Sequence, residues 1–197
     1  MPVNSSFWSQ EEMILYEVLL PFIKRTAIDS ANNGVSVVSH LVDRPVASLG
    51  IDFDRLDTTA TRWAEQNTFN VVKQISETNM DVFLREFPKW QESRKPIKFL
   101  IDAITPEYGL WRAEAIAVTE YGRAVSHGNI IGWQETGLVQ GKKAVTVNDS
   151  DVSEICVFLN ETVVPLNGYF VDQNGVRHFA PPFHVRCRTR IKPVLTL

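Results

Sequence analysis

Near Gly141 the apolar pattern of this chain changes period. Before that point hydrophobic residues recur at three- and four-residue intervals, as one face of a helix requires. After it they come in short β-branched or aromatic runs between turn residues. A helix buries a stripe and a strand buries every second residue, so neither pattern can serve the other structure. The chain therefore reads as α+β: a helical region over residues 1–140, then a small antiparallel β-rich module over 141–197 packed on the last helix as one compact unit.

Within the helical region, Ser9-x-x-Glu12 forms a capping box ahead of Ile14, Leu15, Val18, Leu19 and Phe22. A helix over about 9–28 follows, with Pro21 expected to kink or divide it. Asn32-Asn33-Gly34 reads as a break, and 35–49 as an ambiguous stretch, a second helix if it is ended by Pro45. From Asp57 the chain is helical for most of 70 residues. Trp63, Phe69, Val72 and Ile75 share one face; Val82, Phe83, Phe87 and Trp90 follow a break near Thr78. Pro96 suits a first turn, with Phe99, Leu100 and Ile104 as the buried stripe of a short helix. The next helix starts near Leu110 and continues past Gly128 to Gly137, a natural stop.

In the module, Ala144–Val147, Thr162–Val164 and Tyr169–Val171 are strand-like, and Asn174-Gly175 marks a hairpin joining 169–172 to 176–179. The last run alternates. Arg186, Arg188, Arg190 and Lys192 fall on one face of an extended strand, and Cys187, Thr189 and Ile191 on the other.

The apolar fraction of 44% with 22% charged residues suits a soluble globular chain. No window approaches the roughly 18 uninterrupted apolar residues of a membrane helix, and Met1-Pro2-Val3-Asn4 shows no signal-peptide pattern. Two cysteines make no disulfide framework, which suits folding in a reducing cytoplasm. The net charge of −3 hides a segregation. All five charged residues after Asp172 are basic, which leaves −8 on residues 1–172. Such asymmetry points to a contact surface.

Both cysteines fall in two clusters, Asp149-Ser150-Asp151-Val152-Ser153-Glu154-Ile155-Cys156 and Pro181-Pro182-Phe183-His184-Val185-Arg186-Cys187-Arg188. Cys156, His184 and Cys187 are donor types of tetrahedral zinc, with Asp149, Asp151, His178 or a water as the fourth ligand. A disulfide between the cysteines and plain packing of two small apolar side chains are the alternatives. On the helix before them, Arg112, Glu114, Thr119, Glu120 and Arg123 form a polar network, with Glu120 and Arg123 spaced to meet on one face. An enzyme would use Glu120 as a general base, but no Ser-His-Asp order, glycine-rich phosphate loop or HExxH helix supports one. The basic row fits an acidic protein surface, a DNA phosphate backbone, or an edge strand guarded by charge, with protein docking preferred.

The run Arg112-Ala113-Glu114-Ala115-Ile116-Ala117-Val118-Thr119-Glu120-Tyr121-Gly122-Arg123-Ala124 precedes these two clusters. In this order the three segments resemble the Mu F-like family of phage minor head proteins, also called head-morphogenesis proteins. That family's pattern is an RAExIAxTExxRA helix, a D-x-x-x-[CS]-x-x-C loop and a late PPxHxxCR. Many members carry Cys where this chain has Ser153. The resemblance extends to Trp63-Ala64, Thr78 and Phe83 to Trp90, which sit where the family has helices. It implies a non-enzymatic, low-copy minor capsid protein, bound to the portal and other head components during bacteriophage head assembly and DNA packaging. Its place would be the virion, in the head interior or portal region, after assembly in the host cytoplasm. The alternatives are a DNA-binding protein carried in the virion and ejected with the genome, and a zinc-dependent enzyme using Cys156, His184 and Cys187.

Overall fold

A computed structural model describes residues 10–74, 86, 89–90, 92–96, 98–99, 101–103, 110–147, 149 and 152–196. The architecture is α+β. Among the described residues three long helices, α1 (Gln10–Leu41), α2 (Phe53–Gln74) and α3 (Leu110–Thr136), precede β1 (Gly141–Val145), α4 (Glu154–Leu159), β2 (Val163–Pro165), β3 (Phe170–Val171), β4 (Arg177–His178) and β5 (Arg190–Val194).

Helix α1 is one helix that runs through the predicted break at Asn32-Asn33-Gly34 and into the ambiguous stretch 35–49. Pro21 lies inside it on the exposed side, so its missing hydrogen bond faces solvent. Leu19, Ile23, Ala27, Ala31, Val35 and Val38 form an unbroken buried stripe at three- and four-residue spacing. The Asn-Asn-Gly break does not form. Asn32 Nδ2 donates to the Ile28 carbonyl at 3.0 Å, and Gly34 is needed for close approach. A Cβ at Gly34 would stand 2.8 Å from the Asn129 carbonyl oxygen of α3; Cβ atoms at Gly128 and Gly132 would run into the carbonyls of Ala27 and Ala31. Helices α1 and α3 thus meet backbone to backbone along a seam of small residues. Packing of that seam outranks local propensity. Ser9 of the capping box lies outside the described residues.

Helix α2 buries Leu56, Ala60, Ala64, Thr68 and Val71. Of the stripe predicted for it, Trp63 is half-buried; the side chains of Phe69 and Val72, and Ile75, lie outside the described residues, as does the break near Thr78. In the short helical stretch after Pro96, the Phe99 amide donates to the Pro96 carbonyl at 3.0 Å. There Phe99 is exposed, against the prediction, and Ile101 is buried. Leu100 and Ile104 lie outside the described residues. Helix α3 ends at Thr136, and Gly137 takes the left-handed conformation (φ 65°) that closes it.

In the module, β1 is the centre of an antiparallel three-stranded sheet, β2-β1-β5, with Lys142 opposite Val164 on one side and Pro193 on the other. Strands β3 and β4 form the hairpin predicted at Asn174-Gly175, pairing Phe170 with His178. Asp172 Oδ1 accepts the amides of Asn174 and Val176 and fixes the turn. One core crosses the boundary at residue 140: Val38, Ile130 and Trp133 of the helices pack with Ala144, Cys156, Leu159, Phe170, Phe183, Cys187 and Ile191 of the module. No helix among the described residues is long and apolar enough to cross a membrane.

Candidate functional site

The two cysteine clusters meet. Ser153, in an extended conformation, caps α4, its hydroxyl accepting the Cys156 amide at 3.4 Å. This places Cys156 on the first turn of α4, facing the core. Across from it, residues 183–188 make a tight turn in which the Cys187 amide donates to the His184 carbonyl at 3.2 Å, with Arg186 in the left-handed region (φ 62°). The Cys156 and Cys187 sulfurs lie 3.5 Å apart and unbonded, against about 2.05 Å in a disulfide. His184 Nε2 is 3.0 Å from the Cys156 sulfur and 2.8 Å from the Ser153 hydroxyl.

The tautomer of His184 follows from its other nitrogen. Nδ1 lies 2.7 Å from the Val185 carbonyl oxygen, which can only accept, so Nδ1 carries the proton. In the neutral ring, Nε2 therefore presents a bare lone pair to the Ser153 hydroxyl and the Cys156 thiol. The two thiols titrate as a pair. Cys187 is held below the ordinary thiol range, first by the thiol of Cys156, then by the backbone amides of Phe183 and Thr189. Cys156 is pushed up by its hydrogen bond to Cys187 and by burial. Thr189 Oγ1 is buried without a conventional hydrogen-bond partner, although its hydroxyl acts on both sulfurs. Chemically the site offers two sulfur donors and one nitrogen donor, all within 4.8 Å of one another.

The RAE helix joins this site through Thr119, whose hydroxyl accepts the Arg186 amide at 3.0 Å. Gly122, one turn on, faces the Cys187 carbonyl and the Arg190 guanidinium. Glu120 turns elsewhere, to Arg123 Nε at 3.2 Å and to Asn67 of α2 at 3.5 Å. It is not among the donors of the cysteine site, so the expected network divides at this point, Thr119 to the turn and Glu120 with Arg123 to α2. The side chains of Arg112 and Glu114 lie outside the described residues.

Two of the expected fourth ligands are engaged elsewhere. Asp149 holds Arg188 through two bonds of 2.8 and 2.7 Å, and His178 Nε2 binds Asp172 Oδ2 at 3.0 Å. Asp151 lies outside the described residues. The basic row also differs from expectation. Burial alternates as predicted, with Cys187, Thr189 and Ile191 inside and the four cations outside. Only Arg190 and Lys192 belong to strand β5, however, because the left-handed Arg186 belongs to the preceding turn. The row is not one stiff strand, and Arg188 is neutralised by Asp149.

Two residues escaped the sequence reading. Lys142 is wholly buried, its Nζ donating to the Leu166 carbonyl at 2.7 Å and lying 3.6 Å from the centre of the Phe179 ring. Burial lowers its pKa to about 8. A signal was present: neighbours on a strand face opposite ways, so Lys142-Lys143 must turn one lysine inward, in phase with Ala144. His127 stacks on Trp63 with centroids 4.7 Å apart, and Phe179 closes its other flank at 5.6 Å. Burial, then the charges of Arg123 and Lys142, lower its pKa to about 4. Nothing in the helical spacing marks it.

Comparison with family models, curated proteins and solved structures gives no match to this chain.

Proposed function

We propose that this chain is a minor head protein of the Mu F-like kind, a low-copy, non-enzymatic component that binds the portal during head assembly and DNA packaging. The observation that carries the reading is the meeting of its three motif segments. Thr119 of the RAE helix bonds Arg186 of the PPxHxxCR segment, and Cys156 of the Asp149–Cys156 segment touches both His184 and Cys187. Residues that meet across 67 positions of chain act as one joint, which supports reading the three motifs as parts of a single pattern. The joint fastens the module to the helices and leaves Arg190 and Lys192 outward as cations for an acidic partner.

The test is co-expression with the portal protein of the same phage. The chain should co-purify with assembled portal rings, and heads made without it should package DNA poorly. Absence of binding together with normal packaging would remove the reading. The second reading, a DNA-binding protein carried in the virion, draws on the same two outward cations. It requires an affinity for duplex DNA that falls steeply with salt, since each phosphate contact releases counterions.

A further inference from the structure

We propose that Cys156, His184 and Cys187 bind one zinc ion through their two sulfurs and Nε2, with a water on the Ser153 side as the fourth ligand. The inference stands apart from the head-protein reading. It rests first on geometry. Zinc bonds of about 2.3 Å to sulfur and 2.0 Å to nitrogen set tetrahedral donors roughly 3.5–3.8 Å apart. Here two edges of the donor triangle are 3.5 and 3.0 Å and the third is within 4.8 Å, so small side-chain adjustments admit the ion.

The surroundings point the same way. A zinc-bound histidine usually donates its other ring N–H to a carbonyl or carboxylate, which fixes the free lone pair on the metal; the Val185 carbonyl does this for His184. Thiolates bound to metal are sustained by hydrogen bonds to sulfur. The buried Thr189 hydroxyl, without a conventional partner, gains an acceptor in a metal-bound thiolate. Two thiolates and a neutral imidazole offset the dication in a site where both cysteines are buried, and binding releases to solvent the protons the thiols still hold. The sulfur-rich donor set favours zinc over hard cations such as magnesium or calcium. Ser153 is a weak zinc donor, and its hydroxyl beside Nε2 is placed to hold a water at the fourth vertex.

The experiment uses the full chain, expressed and purified under reductant without chelator. Elemental analysis should find about one equivalent of zinc, falling below about a tenth in His184→Ala and Cys187→Ser. Because those variants could misfold, the unaltered chain is also stripped and reloaded with cobalt(II). It should show the ligand-field bands of a tetrahedral ion and thiolate-to-metal charge transfer, and both thiols should resist alkylation only when loaded. Ser153→Cys, which adds a third sulfur, should hold zinc more tightly against a competing chelator. Less than a tenth of an equivalent with no tetrahedral cobalt spectrum overturns the proposal. So does copper in place of zinc, or a Cys156–Cys187 disulfide that persists in the reduced preparation.

Discussion

The backbone amide of Arg186 donates to the Thr119 hydroxyl at 3.0 Å, tying the turn that carries His184 and Cys187 to the middle of α3. Replacing that hydroxyl by a methyl group removes the bond at a partly buried position. Thr119→Val should cost about 1–3 kcal/mol in urea unfolding, and Thr119→Ser much less, because it keeps the oxygen. Equal effects of the two variants would assign the loss to packing and not to the bond.

The seam between α1 and α3 has no room for a methyl group at Gly132, where a Cβ runs into the Ala31 carbonyl. An alanine in an exposed helix would gain stability by propensity, by up to about 1 kcal/mol. At Gly132 the sign reverses: Gly132→Ala should destabilise by roughly 1–3 kcal/mol through forced separation of the helices. Thermal unfolding beside wild type decides it, and an unchanged or raised midpoint would show the seam to be loose.

His127 gives the fold a defined acid sensitivity. Its pKa falls from 6.5 when unfolded to about 4 in the folded state, so between those values the unfolded chain binds the extra proton. Stability from this group is complete above pH 6.5 and drains as pH drops toward 4, by at most roughly 3 kcal/mol. Asp172 is held below the ordinary carboxylate value, chiefly by His178 and then by the amides of Val176 and Asn174, so its own loss comes at still lower pH. Denaturation curves of His127→Phe, which keeps a ring between Trp63 and Phe179, should lose most of the slope between pH 4.5 and 6.5. A slope equal to wild type would place the titration elsewhere.

Reversing the outward cations should leave the fold intact. Arg188 and Asp149 form a surface pair worth at most about 1 kcal/mol, and Arg190 is exposed on β5. Arg188→Glu with Arg190→Glu should therefore fold, with stability within about 1 kcal/mol of wild type, and on the proposed head-protein reading it should fail to enter heads or bind the portal. Normal incorporation of a folded double variant would leave the cations only the task of guarding a sheet edge.

What the sequence made legible was whatever local chemistry decides. The end of α3 at Gly137, the Asn174-Gly175 hairpin and the burial of Cys187, Thr189 and Ile191 each follow from a turn preference or a two-residue period. Where the fold departs from the reading, a distant neighbour intervenes. Asn32-Asn33-Gly34 stays helical because Asn129 lies against Gly34, and Phe99 faces out while Ile101 faces in. In the site, residue types identified Cys156, His184 and Cys187 as donors. Spacing could not reveal that Asp149 is held by Arg188 and His178 by Asp172, since those pairings depend on how the module folds back. Lys142 was legible in principle, from two adjacent lysines on one strand.

The α1–α3 seam also sets a timetable. Ala27 lies opposite Gly128 and Ala31 opposite Gly132, so the two helices run parallel and the chain must return the length of α1 between them. On a ribosome adding about 5–20 residues per second, α1 emerges roughly 5–20 s before the glycines that complete it. Through that interval the close-approach stretch Ala27–Gly34 shows its neighbours small side chains, with little apolar area for wrong partners to seize between Ile23 and Val35. A seam of leucines would have been more adhesive while it waited.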